Sequence, residues 1–185
     1  MNSVEKLSSL LTSGFTDWQK LGDITVKDHG DLCIFSYGYN PEWNEYEKVC
    51  RGLILNKITG EVVARPFDKF FNWFEGGRKA SGHIVNITEK LDGSLGILYR
   101  DNDEYKIATR GSFTGEQALW ATEYLQQFDL SDLPDSWTLL FEIIYPENRI
   151  VVNYGDREAL VLLAIRDRDW ETTASSNLIF VIVSI

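Results

Sequence analysis

A short lysine-containing segment carries the strongest chemical signal in the sequence. EKLDGS, residues 89–94, lies between two apolar stretches, which predicts a tight corner between two strands. The amine of Lys90 can attack phosphorus only in its neutral form, and a free lysine has a pKa of about 10.4. Reaction near neutral pH therefore needs desolvation or neighbouring cations, such as a bound metal. The alternative interpretation is an ordinary solvated hairpin turn.

The two residues after Asp92 fit a reactive lysine. Gly93 has no Cβ and would let the backbone approach a ligand phosphate closely. The hydroxyl of Ser94 could donate a hydrogen bond to the same ligand. Attack by Lys90 would join a nucleoside monophosphate to the lysine through a P–N bond, with pyrophosphate as the leaving group. The segment therefore indicates covalent nucleotidyl transfer.

Charge is distributed unevenly along the 185 residues. The net charge is −10, from 18 basic and 28 acidic residues. That balance argues against a general nucleic-acid binder, which usually has a basic surface. From Lys48 to Arg110, however, eleven basic residues outnumber eight acidic ones. This basic middle segment contains Lys90, and it reflects either chance clustering or a phosphate-binding cleft.

The elements that must position Lys90 are mainly short strands. Hydrophobic patterns predict strands over 32–37, 52–56, 61–64, 83–88, 94–99, 104–109, 137–145 and 159–165, with 150–153 between the last two. One helix is predicted over 4–11. A second should begin at Thr114, with Gln117 as its capping partner, and its apolar face comprises Ala118, Ala121, Leu125 and Phe128. Many short strands and few helices indicate an antiparallel α+β domain.

Targeting signals and clusters of cysteine are missing from the sequence. No apolar stretch approaches the roughly 18 residues of a membrane helix, and the N-terminus has no secretory pattern. We therefore expect a cytoplasmic location and no membrane association. Cys33 and Cys50 cannot form a cysteine-based zinc site alone, so they are expected in the core. His83 has no motif partner and is expected to be structural or exposed.

Six blocks of sequence resemble the covalent nucleotidyltransferases, and among them the RNA ligases of the bacteriophage T4 RNA ligase 1 type. They are IFSYGY (34–39), CRGLIL (50–55), ARPFDKFFN (64–72), KLDGS (90–94), RGSFTGEQAL (110–119) and FEIIYPENRIVVNY (141–154). Their order and approximate spacing match from about residue 30 to 170, which is more specific than the lysine segment alone. The resemblance implies an α+β nucleotidyltransferase core, built on antiparallel sheets with the nucleotide between them.

The resemblance implies roles for the charged residues of these blocks. Lys90 resembles the lysine that takes AMP, in a segment whose Asp92 and Gly93 also belong to the ATP site. Arg51 and Lys69 match basic positions that hold the ATP triphosphate. Their charges would stabilise the leaving pyrophosphate. The alternative for Arg51 and Lys69 is that they are surface charges.

Four further residues match positions in the ATP site of the family. Tyr37 resembles a nucleotide-contacting tyrosine and Phe71 an essential aromatic residue, although both could be plain core aromatics. Arg110 stands where the family has a lysine, and its planar fork could make a different contact. Glu142 resembles an acceptor on the ribose or metal side. It would be costly to bury unpaired on a strand, which favours a functional role. No metal ligands are assigned.

The activity implied by the resemblance is ATP-dependent RNA ligation with Mg²⁺. Lys90 would take AMP from ATP, the AMP would pass to an RNA 5′-phosphate, and a 3′-hydroxyl would then displace it. The implied partner is RNA with these two ends, such as tRNA under repair. The protein would act as a monomer in the cytoplasm, that of a host cell if it is encoded by a phage. Two alternatives stay open: an inactive nucleotide-binding fragment, and an enzyme of the capping or DNA-ligase type.

The C-terminal part departs from the resemblance. The family's fourth motif, a Glu-Gly block, and its fifth, a pair of lysines, have no counterpart: no lysine follows Lys106, and the last acidic residue is Glu171. We therefore expect 1–171 to be the N-terminal part of an adenylyltransferase domain. We expect 172–185 to be an atypical or truncated end that packs poorly. Without the missing charges, ATP should bind weakly and lysyl-AMP should form slowly or not at all.

Overall fold

Two four-stranded antiparallel sheets contain most of the regular structure. The structure, a computed structural model, describes residues 1–72, 75 and 89–168. The first sheet has the order β1-β2-β3-β4 and consists of Ile24–His29, Leu32–Tyr37, Arg51–Asn56 and Val62–Ala64. The second has the order β6-β5-β7-β8, in which β5 to β8 are Ser94–Asp101, Glu104–Ala108, Trp137–Ile144 and Ala159–Asp167. The helices are α1 (Ser3–Thr12), α2 (Glu45–Val49) and α3 (Glu116–Leu125). The predicted antiparallel α+β fold is confirmed.

The two sheets share a buried apolar layer. Ile34 and Ile54 of the first sheet pack with Ile97 and Leu140 of the second, and all four are at most 1% exposed. These residues come from β2, β3, β5 and β7, the central strands of the two sheets. The two sheets therefore pack on each other through their central strands.

Most sequence-predicted elements appear at their expected places. The helix over 4–11 is α1, and strands form at seven of the eight predicted positions. The eighth, 83–88 with His83, lies outside the described residues, as does the 172–185 end. Cys33 and Cys50 are fully buried, as expected. No helix in the described part of the chain is long and apolar enough to span a membrane.

The predicted start of the second long helix is wrong. The N-cap of α3 is Gly115, which makes no side-chain cap. The hydroxyl of Ser112 accepts the N–H groups of Thr114 and Gly115 instead, at 3.2 and 2.8 Å. These bonds fold the chain into a turn at the position where the helix was expected to begin. Thr114 and Gln117 consequently form no capping box.

Two other predictions at the edges of elements also fail. Phe128 lies three residues beyond the end of α3 and is 49% exposed, whereas Ala118, Ala121 and Leu125 are buried as expected. Residues 150–153 form no strand, and Val151 is 74% exposed. The N–H groups of Val151 and Val152 point towards the lysine segment and not towards a neighbouring strand.

Candidate nucleotide site

The lysine segment leads directly into β5 and packs on β7. Gly93 donates its N–H to Oε1 of Glu142 at 2.8 Å, and Ser94 pairs with Ile143 across the two strands. A Cβ built on Gly93 would lie 2.4 Å from the carbonyl oxygen of Ile143. The missing side chain therefore allows the corner to pack on β7. The predicted close approach to a phosphate stays a prediction.

Asp92 ties the lysine segment to the loop after β7. Its Oδ2 accepts the N–H groups of Val151 and Val152, both at 2.7 Å. The N–H of Asp92 in turn donates to the hydroxyl of Tyr154 at 2.9 Å. The bonds from Val152 and Val151 lower the pKa of Asp92. The bonds between Asp92 and the loop after β7 thus fix the backbone two residues after Lys90.

The hydroxyl of Ser94 has a structural partner. It donates to Oδ1 of Asn148 at 2.9 Å, and the buried amide of Asn148 donates to the carbonyl oxygen of Ile143 at 2.8 Å. The expectation that Ser94 donates to a ligand is therefore corrected, because the hydroxyl is used to hold the loop after β7. The sequence offers no signal for this pair, whose members lie 54 positions apart.

Lys90 and Glu142 face the same region with different degrees of burial. Lys90 is exposed. Burial raises the pKa of Glu142, opposed by the Gly93 N–H, Lys90 and Arg51 and reinforced by Asp92. These four groups thus lie within electrostatic reach of Glu142. Because the described residues do not desolvate the Lys90 amine, neighbouring cations are the remaining predicted route to its activation.

Arg51 carries an unsatisfied donor. It stands at the first position of β3, and burial lowers its pKa, partly opposed by Tyr37. Its Nη1 is buried and has no hydrogen-bond partner among the residues that the structure describes. An unsatisfied buried donor is unfavourable by about 1–3 kcal/mol. An anionic acceptor bound here would remove that penalty.

Aromatic rings lie against two cations of the site, Lys69 and Arg110. Nζ of Lys69 lies 4.9 Å from the ring centres of both Trp43 and Phe71. The guanidinium of Arg110 lies 4.5 Å from the ring centre of Tyr37. Trp43 packs edge-on against Tyr37 and Phe71, with ring centres 4.8 and 5.6 Å apart. Trp43 therefore connects Tyr37, Lys69 and Phe71, and Tyr37 in turn contacts Arg110. Sequence reasoning missed Trp43.

The site cations lack the acidic partners that several other basic residues have in the described part of the chain. Lys57 pairs with Asp28, and Lys106 pairs with Asp101. Within 1–72, 75 and 89–168, no ion pair involves Arg51, Lys69, Lys90 or Arg110. Aromatic faces attract cations without neutralising them. Positive charge therefore remains available for an anion in a chain whose net charge is −10.

Carboxylates for a metal are sparse in this region. No three His, Cys, Asp or Glu side chains come together in the described part of the chain. Asp92 and Glu142 lie within electrostatic reach of Lys90, and they already accept two backbone N–H groups and one, respectively. Mg²⁺ commonly binds through one or two carboxylates together with substrate phosphates and water. The site fits that mode, with Glu142 as the candidate ligand.

Replacing Glu142 with glutamine should change the pH dependence of stability. A raised pKa means that the folded chain binds the proton more tightly than the unfolded chain. Ionisation of Glu142 therefore destabilises the fold as the pH rises above about 4.3, the ordinary glutamate value. We expect Glu142→Gln to melt at a higher temperature than wild type at pH 7, with the gap closing towards pH 4. Thermal melts across pH 4–8 measure this.

The matched control is Glu158→Gln, at an exposed position. Its melting temperature should equal that of wild type throughout the pH range. A Glu142→Gln variant that is less stable than wild type at pH 7 would contradict the assigned effect of burial.

Comparison with known proteins gives a consistent result. A family model described as RNA ligase matches residues 49–178. An RNA ligase of Rhodothermus phage RM378 is 29% identical, over 80% of this chain and 44% of its own. A putative bifunctional polynucleotide kinase/RNA ligase of Autographa californica nuclear polyhedrosis virus is 36% identical, over 75% and 24%. A putative RNA ligase of Thermovibrio ammonificans is 30% identical, over 77% and 40%. The chain thus spans a quarter to under half of the length of these relatives.

Proposed function

The chain belongs to the RNA ligase family, of the bacteriophage T4 RNA ligase 1 type, and on that premise we propose that it forms the nucleotide-binding part of an ATP-dependent RNA ligase. In the first step, neutral Nζ of Lys90 attacks the α-phosphorus of ATP. A P–N bond forms while the bond from the α-phosphorus to the bridging oxygen breaks. Pyrophosphate leaves, and the amine proton passes to solvent.

The proposed second and third steps use RNA. An oxygen of an RNA 5′-phosphate displaces Lys90 from the AMP phosphorus and forms a phosphoanhydride. An RNA 3′-hydroxyl then attacks the 5′-phosphorus, the phosphodiester forms, and AMP leaves. The substrates in this proposal are RNA ends with a 5′-phosphate and a 3′-hydroxyl, as in tRNA repair.

The observation that carries the proposal is the unpaired positive charge beside the lysine segment. Nη1 of Arg51 is buried without a partner among the described residues, and Arg51 lies within electrostatic reach of the same Glu142 as Lys90. A triphosphate would supply the acceptors, and Arg51 and Lys69 would stabilise the charge that develops on pyrophosphate. Mg²⁺, when bound through Glu142 and the phosphates, would act as a Lewis acid.

Incubation with labelled nucleotides tests the proposal. The chain is mixed with Mg²⁺ and α-labelled ATP or GTP, denatured, and examined for covalent label by electrophoresis and intact mass. The proposal predicts slow formation of covalent AMP from ATP, since the sequence has no counterpart of the family's fourth and fifth motifs, and no label from GTP. Covalent GMP would support the capping type of enzyme. ATP binding without an adduct would support an inactive nucleotide-binding fragment, and either result would overturn the proposed function.

Alanine at Arg51 or Lys69 should slow the first step of the reaction much more than the last step. Pyrophosphate is present only when lysyl-AMP forms, so each variant should slow that step by about 10²–10³-fold. Sealing of RNA that already carries a 5′-adenylate should change far less. Single-turnover rates of the two reactions give the comparison.

The control for this pair is Arg100→Ala, which removes an arginine paired with Asp103 and Asp135 on the other sheet. Both reaction rates should remain at the wild-type level. Equal losses in the two steps for Arg51→Ala would point to folding or RNA binding and would contradict the assignment to the triphosphate.

A further inference from the structure

The loop from Gly38 to Asn44 is fixed by two carboxylates. Oδ2 of Asp23 accepts the N–H of Asn40 at 2.6 Å, and the carbonyl oxygen of Asp23 accepts the N–H of Gly38 at 2.6 Å. Glu47 is 1% exposed, and it accepts the N–H groups of Asp23 and Asn44 at 2.8 and 2.9 Å. The loop is thus held at both ends by charge-assisted bonds to its backbone.

Trp43 adopts an uncommon backbone conformation inside this loop. Its φ is 61°, in the left-handed region that bulky side chains rarely occupy. Such a conformation persists only where the surroundings determine it. Here it directs the indole towards Tyr37, Lys69 and Phe71, with ring or ammonium distances of 4.8, 4.9 and 5.6 Å. The ring packs against three residues of the candidate ATP site.

We propose that Trp43 is a positioning residue, which holds the Lys69 ammonium where it meets the triphosphate of ATP. The proposal rests on the proposed function. Lys69 has a long, flexible side chain, and without a partner its charge would sample many positions. A carboxylate in place of Trp43 would hold the ammonium but cancel its charge. The indole restricts the ammonium and leaves the charge for the phosphates.

The role predicts a selective loss of affinity. Trp43→Leu should weaken ATP binding about tenfold, because a cation–aromatic contact of this size orients Lys69. AMP has no β- or γ-phosphate, so its dissociation constant should stay near the wild-type value. Trp43→Phe keeps a ring and should restore most of the ATP affinity. Tyr39→Leu, at a fully exposed ring in the same loop, is the matched control and should change neither.

A double-mutant cycle tests whether Trp43 acts through Lys69. Calorimetric titration with ATP and AMP is carried out on wild type, Trp43→Leu, Lys69→Ala and the double variant, after thermal melts confirm that each is folded. Trp43→Leu should have almost no further effect once Lys69 is alanine. If the leucine variant does not fold, the same cycle with Trp43→Phe decides, with a twofold to threefold loss expected.

The outcomes separate this role from the proposed function. Losses that add in the double variant, or that fall equally on ATP and AMP, would overturn the role of Trp43 in a wild-type chain that does bind ATP. A wild-type chain that binds no ATP would overturn the proposed function and this role together.

Discussion

Alanine at Lys90 is expected to abolish AMP attachment to the chain. The Lys90 amine is the proposed nucleophile, and it lies exposed beside Glu142 and Asp92. Lys90 is the one lysine of the EKLDGS segment, so no neighbouring amine there can replace it. Incubation of the variant with ATP and Mg²⁺ should give no gain in intact mass under conditions that label wild type. Binding of ATP should persist, because Arg51 and Lys69 remain.

Two further variants sharpen this expectation. Lys90→Arg should be as inactive as the alanine variant, since a guanidinium stays protonated and cannot attack phosphorus. Lys106→Ala removes a lysine of β6 that pairs with Asp101 of β5, and this variant should be labelled like wild type. An alanine variant at Lys90 that still gains AMP would place the nucleophile elsewhere.

Seven of the eight strands in the described part of the chain could be predicted from the sequence, and β1 could not. β2 reads LCIFSY, and five of its six residues are buried. β1 reads ITVKDH, lies at the edge of its sheet and buries only Ile24. Charged side chains on an edge strand discourage pairing with another chain, and β1 carries Lys27 and Asp28. Its sequence therefore resembles a polar loop.

Among the helices, too, those with a clear local sequence signal could be predicted, and features that depend on other contacts could not. α1 has a clear apolar face, with Val4 and Leu7 buried. α2 has only five residues and was missed, although Asn44 and Glu47 form a capping box that could have indicated its start. The start of α3 depends on Ser112, which bonds to the backbone in a turn that hydrophobic periodicity does not report.

Some residues of the candidate site could also be predicted from the sequence, and others could not. The positions of Lys90, Arg51 and Glu142 follow from sequence blocks, and the structure brings Lys90 and Arg51 within electrostatic reach of Glu142. Their binding and catalytic roles stay predictions. The place of Trp43 could not be predicted, because its left-handed backbone conformation and its ring contacts arise only in the folded chain.

Alanine at Gly93 should disrupt both the fold and the reaction. The new Cβ would lie 2.4 Å from the carbonyl oxygen of Ile143 and 3.2 Å from Cγ of Glu142. The first of these atoms is backbone of β7, a central strand, so the lysine segment must move away from it. Overpacking of this kind destabilises by about 1–3 kcal/mol, or about 2–12 °C in melting temperature.

Displacement of the lysine segment should affect catalysis more than stability. A shift of about 1 Å in a reacting group can lower a rate by about 10²-fold. We therefore expect Gly93→Ala to remain folded at 20 °C while its rate of AMP attachment falls by about that factor. Thermal melts and single-turnover labelling on the same preparation measure the two effects.

Gly14→Ala is the control for the glycine itself. Gly14 has φ 81°, and a Cβ there would meet no atom within 4 Å, so alanine adds only about 1–2 kcal/mol of backbone strain. This variant should lose stability to a similar degree and retain the wild-type rate of AMP attachment. Because Gly14 lies before the first sheet and far in sequence from Lys90, equal rates for the two glycine variants would mean that the contact of Gly93 with β7 does not place the lysine.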